Sequence, residues 1–148
     1  MEIPRTKKIK EPLEAAWTAR EKALAIAEIA RAKKAEDIIL LQVEALSSIG
    51  DYYVVCSADS APQMRAIVDA VEITLSQRKC RPLGIEGMRA TQWVLVDCND
   101  VILHIFHKEA RVFYNLDRLW GDAPRTDILE PAVIVEKSRP EKKKRKVG

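Results

Sequence analysis

The segment Arg81–His107, RPLGIEGMRATQWVLVDCNDVILHIFH, constrains the fold more than any other part of the chain. It holds two apolar runs, Val94, Leu95 and Val96 and then Val101, Ile102, Leu103, Ile105 and Phe106, separated by the polar turn Asp97-Cys98-Asn99-Asp100. Both runs are short, rich in β-branched residues and bounded by turn residues, which predicts strands rather than helix. Asn99 is one of the few non-glycine residues that tolerate positive φ, so the turn suits a hairpin. The rest of the chain reads as cover for this hairpin. Three features of the segment are not demanded by folding alone: Glu86-Gly87, Trp93 at the mouth of a strand, and the acidic turn.

The cover can be followed in order. Residues 1–12 are charged and punctuated by proline, the composition of a mobile arm. Leu13 to about Lys33 contains no Gly or Pro and is rich in Ala, Glu, Lys and Ile, which predicts a leading helix. Its apolar stripe holds Leu13, Ala16, Trp17, Ala23, Leu24, Ile26, Ala27 and Ala30, with Trp17 read as a docked anchor. Asp37–Val43 is a nearly continuous apolar strand, expected to be buried on both faces. A loop through Ser47-Ser48-Ile49-Gly50 leads to a second strand, Asp51–Ser57, and the two are expected to pair across it. Ser60, Pro62 and Gln63 mark a helix start with a capping box. That helix runs to about Arg78 with Met64, Ile67, Val68, Val71 and Leu75 on one face. A short strand, Leu83–Glu86, precedes the hairpin. Lys108–Trp120 reads as one helix with Val112, Phe113, Leu116, Leu119 and Trp120 on its apolar side, stopped by Gly121-Asp122-Ala123-Pro124. Residues 125–148 sustain no period and end in the cationic run Lys142–Lys146, so they read as a basic disordered tail. The sum is an α/β fold over residues 13–124, one mixed β-sheet covered by helices.

Charge is segregated along the chain. Residues 1–35 carry nine Lys/Arg against five Asp/Glu, residues 36–124 carry eight against thirteen, and residues 125–148 carry eight against four. A body of charge −5 between ends of +4 does not suit a nucleic-acid-binding domain, and it does suit a basic partner. No apolar run approaches the length of a membrane span, and the N-terminus lacks the apolar core of a signal peptide. Cys56, Cys80 and Cys98 are odd in number and form no C-x-x-C pair, which predicts free thiols in the reducing cell interior.

Catalytic patterns are weak. Asp51 after Ser47-Ser48-Ile49-Gly50 resembles the turn of a nucleotidyltransferase, but that chemistry needs two carboxylates alternating on a strand face to share Mg²⁺. The position two residues on is Tyr53, so a turn-building Asp51 is preferred and a residual Mg-dependent nucleotidyltransferase or nucleotide-binding protein is kept as the alternative. Cys98, His104 and His107 do not make a metal site, because residues three apart in a strand face opposite ways. His104 is expected in the core or at an edge. No serine triad or glycine-rich phosphate loop is present, and no cofactor is expected. Glu86, Trp93, Asp97, Tyr114 and Trp120 combine aromatics with carboxylates, a composition that suits a protein–protein site. The same composition also allows Trp93 and Trp120 to fill the core.

Five stretches occur together and in order: Ser47-Ser48-Ile49-x-Asp51-Tyr52, Arg81–Gly87, Trp93-Val94-Leu95-x-Asp97, Asp100-Val101-x-x-His104-x-Phe106 and Tyr114-x-Leu116-x-x-Leu119-Trp120. On these residues, over about Ala23 to Asp122, the chain resembles the ribosomal silencing factors (RsfS, the Iojap family). The resemblance implies a nucleotidyltransferase-like fold without the catalytic carboxylate pair and without that activity. It implies binding to the fourteenth protein of the large ribosomal subunit, blocking of small-subunit joining, and repression of translation when nutrients fall. It implies a partner surface at Trp93, and with it Glu86, Asp97, Tyr114 and Trp120. Asn99 stands where the family usually has Gly. The basic tail could touch ribosomal RNA, and the free chain is read as a monomer or a homodimer in the cytoplasm.

Overall fold

The computed structural model describes residues 17–46, 50–90, 92–130 and 133–137. Its elements are α1 (Ala19–Ala32), β1 (Glu36–Gln42), β2 (Tyr52–Ala58), α2 (Ala61–Gln77), β3 (Gly84–Glu86), β4 (Trp93–Asp97) and β5 (Val101–His107), followed by α3 (Lys108–Tyr114), α4 (Leu116–Leu119), β6 (Arg125–Glu130) and β7 (Val133–Lys137). The strands form one seven-stranded sheet in the order β3-β4-β5-β2-β1-β6-β7. All neighbours are antiparallel except β2 and β5, which run parallel, with Tyr53 opposite Ile102 and Val55 opposite His104. The fold is the expected α/β arrangement of a mixed sheet under helices.

Continuous apolar strands need cover on both faces, and alternate side chains go to opposite sides. Ile38, Leu40, Val54, Cys56, Val94, Val96, Leu103 and Ile105 pack beneath α1 and α2. Ile39, Leu41, Tyr53, Val55, Ile102 and Phe106 form the other face, where Ala110, Leu116 and Ala123 partly cover them. The helix α2 lays Met64, Ile67, Val68, Val71 and Leu75 on the sheet, as its periodicity predicts. Ser60 caps it by accepting from the Gln63 backbone N–H at 3.2 Å. The Gln63 side chain does not close the box on Ser60; it accepts from Asp59 N and donates to the Lys33 carbonyl instead.

Among the described residues the leading helix, α1, begins at Ala19. Thr18 and Glu21 form a full capping box that fixes the start at Ala19, a signal legible as Thr-x-x-Glu. Trp17 docks on the helix layer, with the Arg78 guanidinium carbon 3.8 Å from its ring centre. Lys22 is the surprise of α1, since its side chain is only 9% exposed. Its ammonium donates to Asp100 Oδ1 at 2.8 Å and to the Cys98 carbonyl at 3.0 Å, tying α1 to the β4–β5 turn. Lys22→Met would strip a buried carbonyl and a half-buried carboxylate of a charged donor, so urea melts should show a loss of about 1.5–3 kcal/mol. An unchanged midpoint would mean that the bridge contributes nothing net.

Two boundaries need correction. The expected single helix over residues 108–120 breaks at Asn115, which adopts the left-handed conformation with φ 46°. The break turns Val112, Phe113 and Leu119 outward, at 78%, 79% and 71% exposure, so they do not form the buried stripe that their spacing suggested. The expected disordered tail is also too long. Residues 125–130 add β6 to the edge of β1, with Thr126 and Ile128 buried, and residues 133–137 pair as β7. The open backbone edge of β1 supplies the reason, because its N–H and C=O groups gain partners there. The mobile arm of residues 1–12, the expected helix start over Leu13–Ala16, the turn residues Ser47, Ser48 and Ile49, and the run Lys142–Lys146 lie outside the described residues. No helix among the described residues is long and apolar enough to cross a membrane.

Candidate functional site

The uncovered part of the second sheet face carries an aromatic row. Trp93 opens β4 opposite Phe106, and their rings stack at 5.0 Å with 29° between planes. Tyr114, the last residue of α3, leans on Trp93 at 4.8 Å and is itself 46% exposed. Phe113 meets Tyr114 edge-on at 5.0 Å. Beyond Trp93 the row continues through His104, which meets Tyr53 edge-on at 4.6 Å, to Trp120, edge-on to Tyr53 at 5.2 Å. Trp93, Tyr114 and Trp120 are thus joined by the parallel register of β2 and β5. Trp93 and Trp120 are both half-buried, so each packs the core and also reaches the surface.

The two carboxylates stand apart from this row. Glu86 is exposed and lies opposite Leu95, on the Trp93 side of the sheet. Asp97 is four residues along β4 from Trp93, roughly 13 Å away at strand rise. Its Oδ1 accepts from the Asn99 backbone N–H at 2.9 Å, so it builds the hairpin turn that gives Asn99 its φ of 77°. Gly87 has a local reason too. With φ at 91°, a Cβ there would collide with the Trp93 carbonyl oxygen, so Glu86-Gly87 lets β3 close against the start of β4.

A half-buried arginine holds the frame of the row. Arg111 donates to both Asp117 oxygens at 2.9 Å and to Ser57 Oγ at 2.8 Å, clamping the α3–α4 elbow to β2. Burial pushes the Asp117 carboxyl up, but the hydrogen bond and charge of Arg111 outweigh it and hold the pKa below the usual value. Tyr114 and Trp120 leave this elbow on either side. Cys56 and Cys98 are free and buried, their thiols pushed up to about 12 chiefly by burial. Among the described residues, no three His, Cys, Asp or Glu side chains are grouped so as to hold a metal ion. His107 caps α3, accepting from Glu109 N at 3.3 Å, and Cys98 packs under the opposite face.

His104 is buried, as its strand position suggested, and accepts the Trp93 indole N–H on Nδ1 at 3.1 Å. Burial pushes its pKa from 6.5 down to about 4. As pH falls below 6.5, the unfolded chain takes up a proton that folded His104 refuses. Stability is therefore full above that pH and is lost toward pH 4. The wild type should lose about 2–3 kcal/mol through this group by pH 4.5, and a His104→Leu variant should not. Urea melts of both proteins at pH 7 and pH 4.5 check this; equal losses would mean that His104 titrates as if in water.

Comparison with known proteins now bears on the fold and the row together. The family model described as "Ribosomal silencing factor during starvation" matches residues 16–147. This chain belongs to the ribosomal silencing factor family. The factor from Bacillus subtilis is 41% identical over 96 residues, covering 65% of this chain and 81% of that protein. A mouse protein named "Mitochondrial assembly of ribosomal large subunit protein 1" is 32% identical over 93 residues, covering 61% of this chain and 41% of its own length. A crystal structure of a Chromobacterium violaceum protein superposes with a TM-score of 0.68 at 30% identity, covering 71% of this chain and 88% of that one.

Sequence reasoning missed Tyr53, His104 and Phe113 as members of the aromatic row. Tyr53 and His104 meet through the parallel pairing of two strands far apart in the chain, which no local pattern reveals. Phe113 was recoverable, because an Asn inside a helical period is a known left-handed stop.

Proposed function

We propose that the chain represses translation by binding the large ribosomal subunit through its fourteenth protein and sterically blocking association with the small subunit when nutrients are short. The observation that carries this reading is the outward row of Trp93, Tyr114 and Phe113 in a chain of the silencing factor family. Half-exposed aromatics supply the desolvated anchors of a protein interface. Glu86 lies on the same side of the sheet, Asp97 stands at the far end of β4, and the −5 charge of residues 36–124 favours a basic partner. The mouse relative, named for large-subunit assembly, supports the large subunit as the target. On this reading the chain works in the cytoplasm by occupying a surface, without cofactor or turnover. The cations of Lys142–Lys146 add salt-screened attraction to ribosomal RNA phosphates.

Sucrose-gradient sedimentation with purified subunits tests the reading. The chain should travel with large subunits, stay out of the small-subunit and joined-ribosome peaks, and lower the yield of joined ribosomes when added first. Recovery in the joined peak equal to that on free large subunits, at physiological salt, would overturn it.

A further inference from the structure

His104 is 4% exposed, sits between Trp93 and Tyr53 on β5, and spends its Nδ1 on the Trp93 indole N–H. Its other ring nitrogen, Nε2, is buried and has no hydrogen-bond partner among the described residues. A buried polar atom without a partner is a cost to folding that an apolar side chain of similar volume would avoid. Packing alone therefore gives no reason for a histidine at this position. Its hydrogen bond to Trp93 does give one. The stacking of Trp93 on Phe106 and its tilted contact with Tyr114 tolerate sliding and ring rotation, whereas the N–H to Nδ1 bond at 3.1 Å fixes the indole edge toward β5.

We propose that His104 is a positioning residue for partner binding, holding the Trp93 indole in one orientation so that the docking face is formed before the partner arrives. The inference rests on the reading of that face as the ribosome-binding surface. An aromatic anchor already locked in place has less rotational freedom to lose on docking, and this is the source of the advantage. The hydrogen bond also settles the tautomer: neutral His104 must leave Nδ1 bare to accept and carry its proton on Nε2, the atom left without a partner. The fold thus tolerates one idle donor for the sake of one directed acceptor.

The test compares His104→Leu, His104→Met and His104→Asn in the full chain. Leu and Met keep apolar volume and lack an acceptor, while the Asn side-chain oxygen lies near the place of Nδ1. Trp93→Phe identifies the Trp93 indole N–H among the three tryptophan signals of a ¹⁵N-labelled NMR sample, and Trp93→Ala reports on the face itself. In the Leu and Met variants urea midpoints should hold or rise, the Trp93 N–H should shift upfield and exchange faster, and affinity for large subunits should fall roughly three- to tenfold. His104→Asn should restore part of both the signal and the affinity. An unshifted, slowly exchanging indole N–H in the Leu and Met variants would overturn the inference. So would full affinity in those variants, or parallel loss of stability and affinity in all three. Full affinity in Trp93→Ala would instead overturn the docking face, and this inference with it; loss in Trp93→Ala beside full affinity in His104→Leu would overturn this inference alone.

Discussion

Trp93→Ala is expected to weaken binding to large ribosomal subunits roughly 30- to 1000-fold, or about 2–4 kcal/mol. The indole stands where the aromatic row reaches solvent, between the core ring of Phe106 and the exposed ring of Tyr114. A sequence reading sets surface anchor against core filler, and the structure shows an indole that is packed on the core and also reaches solvent. Its half-buried stacking and its bond to His104 mean that truncation also costs folding energy, though less than the ~3–5 kcal/mol of a fully buried tryptophan. A loss of about 1.5–2.5 kcal/mol is expected, which leaves a domain of ordinary stability folded. Urea melts beside large-subunit pelleting separate the two effects. A variant that is folded under assay conditions and still pellets fully would remove Trp93 from the interface.

The largest loss of stability is expected from Gly87→Ala. The new methyl would collide with the Trp93 carbonyl oxygen and would press on the Val94 Cα at 3.3 Å, both backbone atoms that cannot swing aside. It would also place a side chain at φ 91°, outside the conformations that alanine adopts readily. Backbone strain of ~1–2 kcal/mol and overpacking of ~1–3 kcal/mol together predict a loss of about 2–5 kcal/mol. Because the clash falls on the start of β4, Trp93 should shift and binding should suffer beyond the stability change. Gly84→Ala is the matched control, since a Cβ there meets nothing within 4 Å, and its urea midpoint should move little. Equal midpoints for the two variants would show that the β3–β4 approach is looser than described.

Legibility followed the range of the interactions. The strands over residues 36–42, 52–58 and 93–107 and the helix α2 were readable because short apolar runs and an i, i+3, i+4 face are local signals. The strand β6 was not, because RTDILE alternates weakly and gains its place from the free edge of β1. Lys22 hid for a related reason: a lysine in a charged helix reads as solvated until the hairpin turn comes to meet it. Of the five residues proposed as a partner surface, Trp93, Tyr114 and Trp120 converge through rings contributed by Phe106, His104 and Tyr53. That convergence depends on strand order. Asp97 shows the opposite limit, since a carboxylate that suggested recognition also serves its own turn.

The central claim is that the aromatic row meets one protein of the large subunit, and crosslinking from position 114 tests it most directly. Tyr114 reaches solvent from the row, so a photo-reactive benzoylphenylalanine in its place should keep the ring and face the partner. Ile73, exposed on α2 beneath the opposite face of the sheet, serves as the matched control position. After irradiation with purified large subunits, mass spectrometry should find the fourteenth large-subunit protein joined to position 114 and not to position 73. Crosslinks from position 73 to that protein, or from position 114 to ribosomal components other than it, would contradict the account.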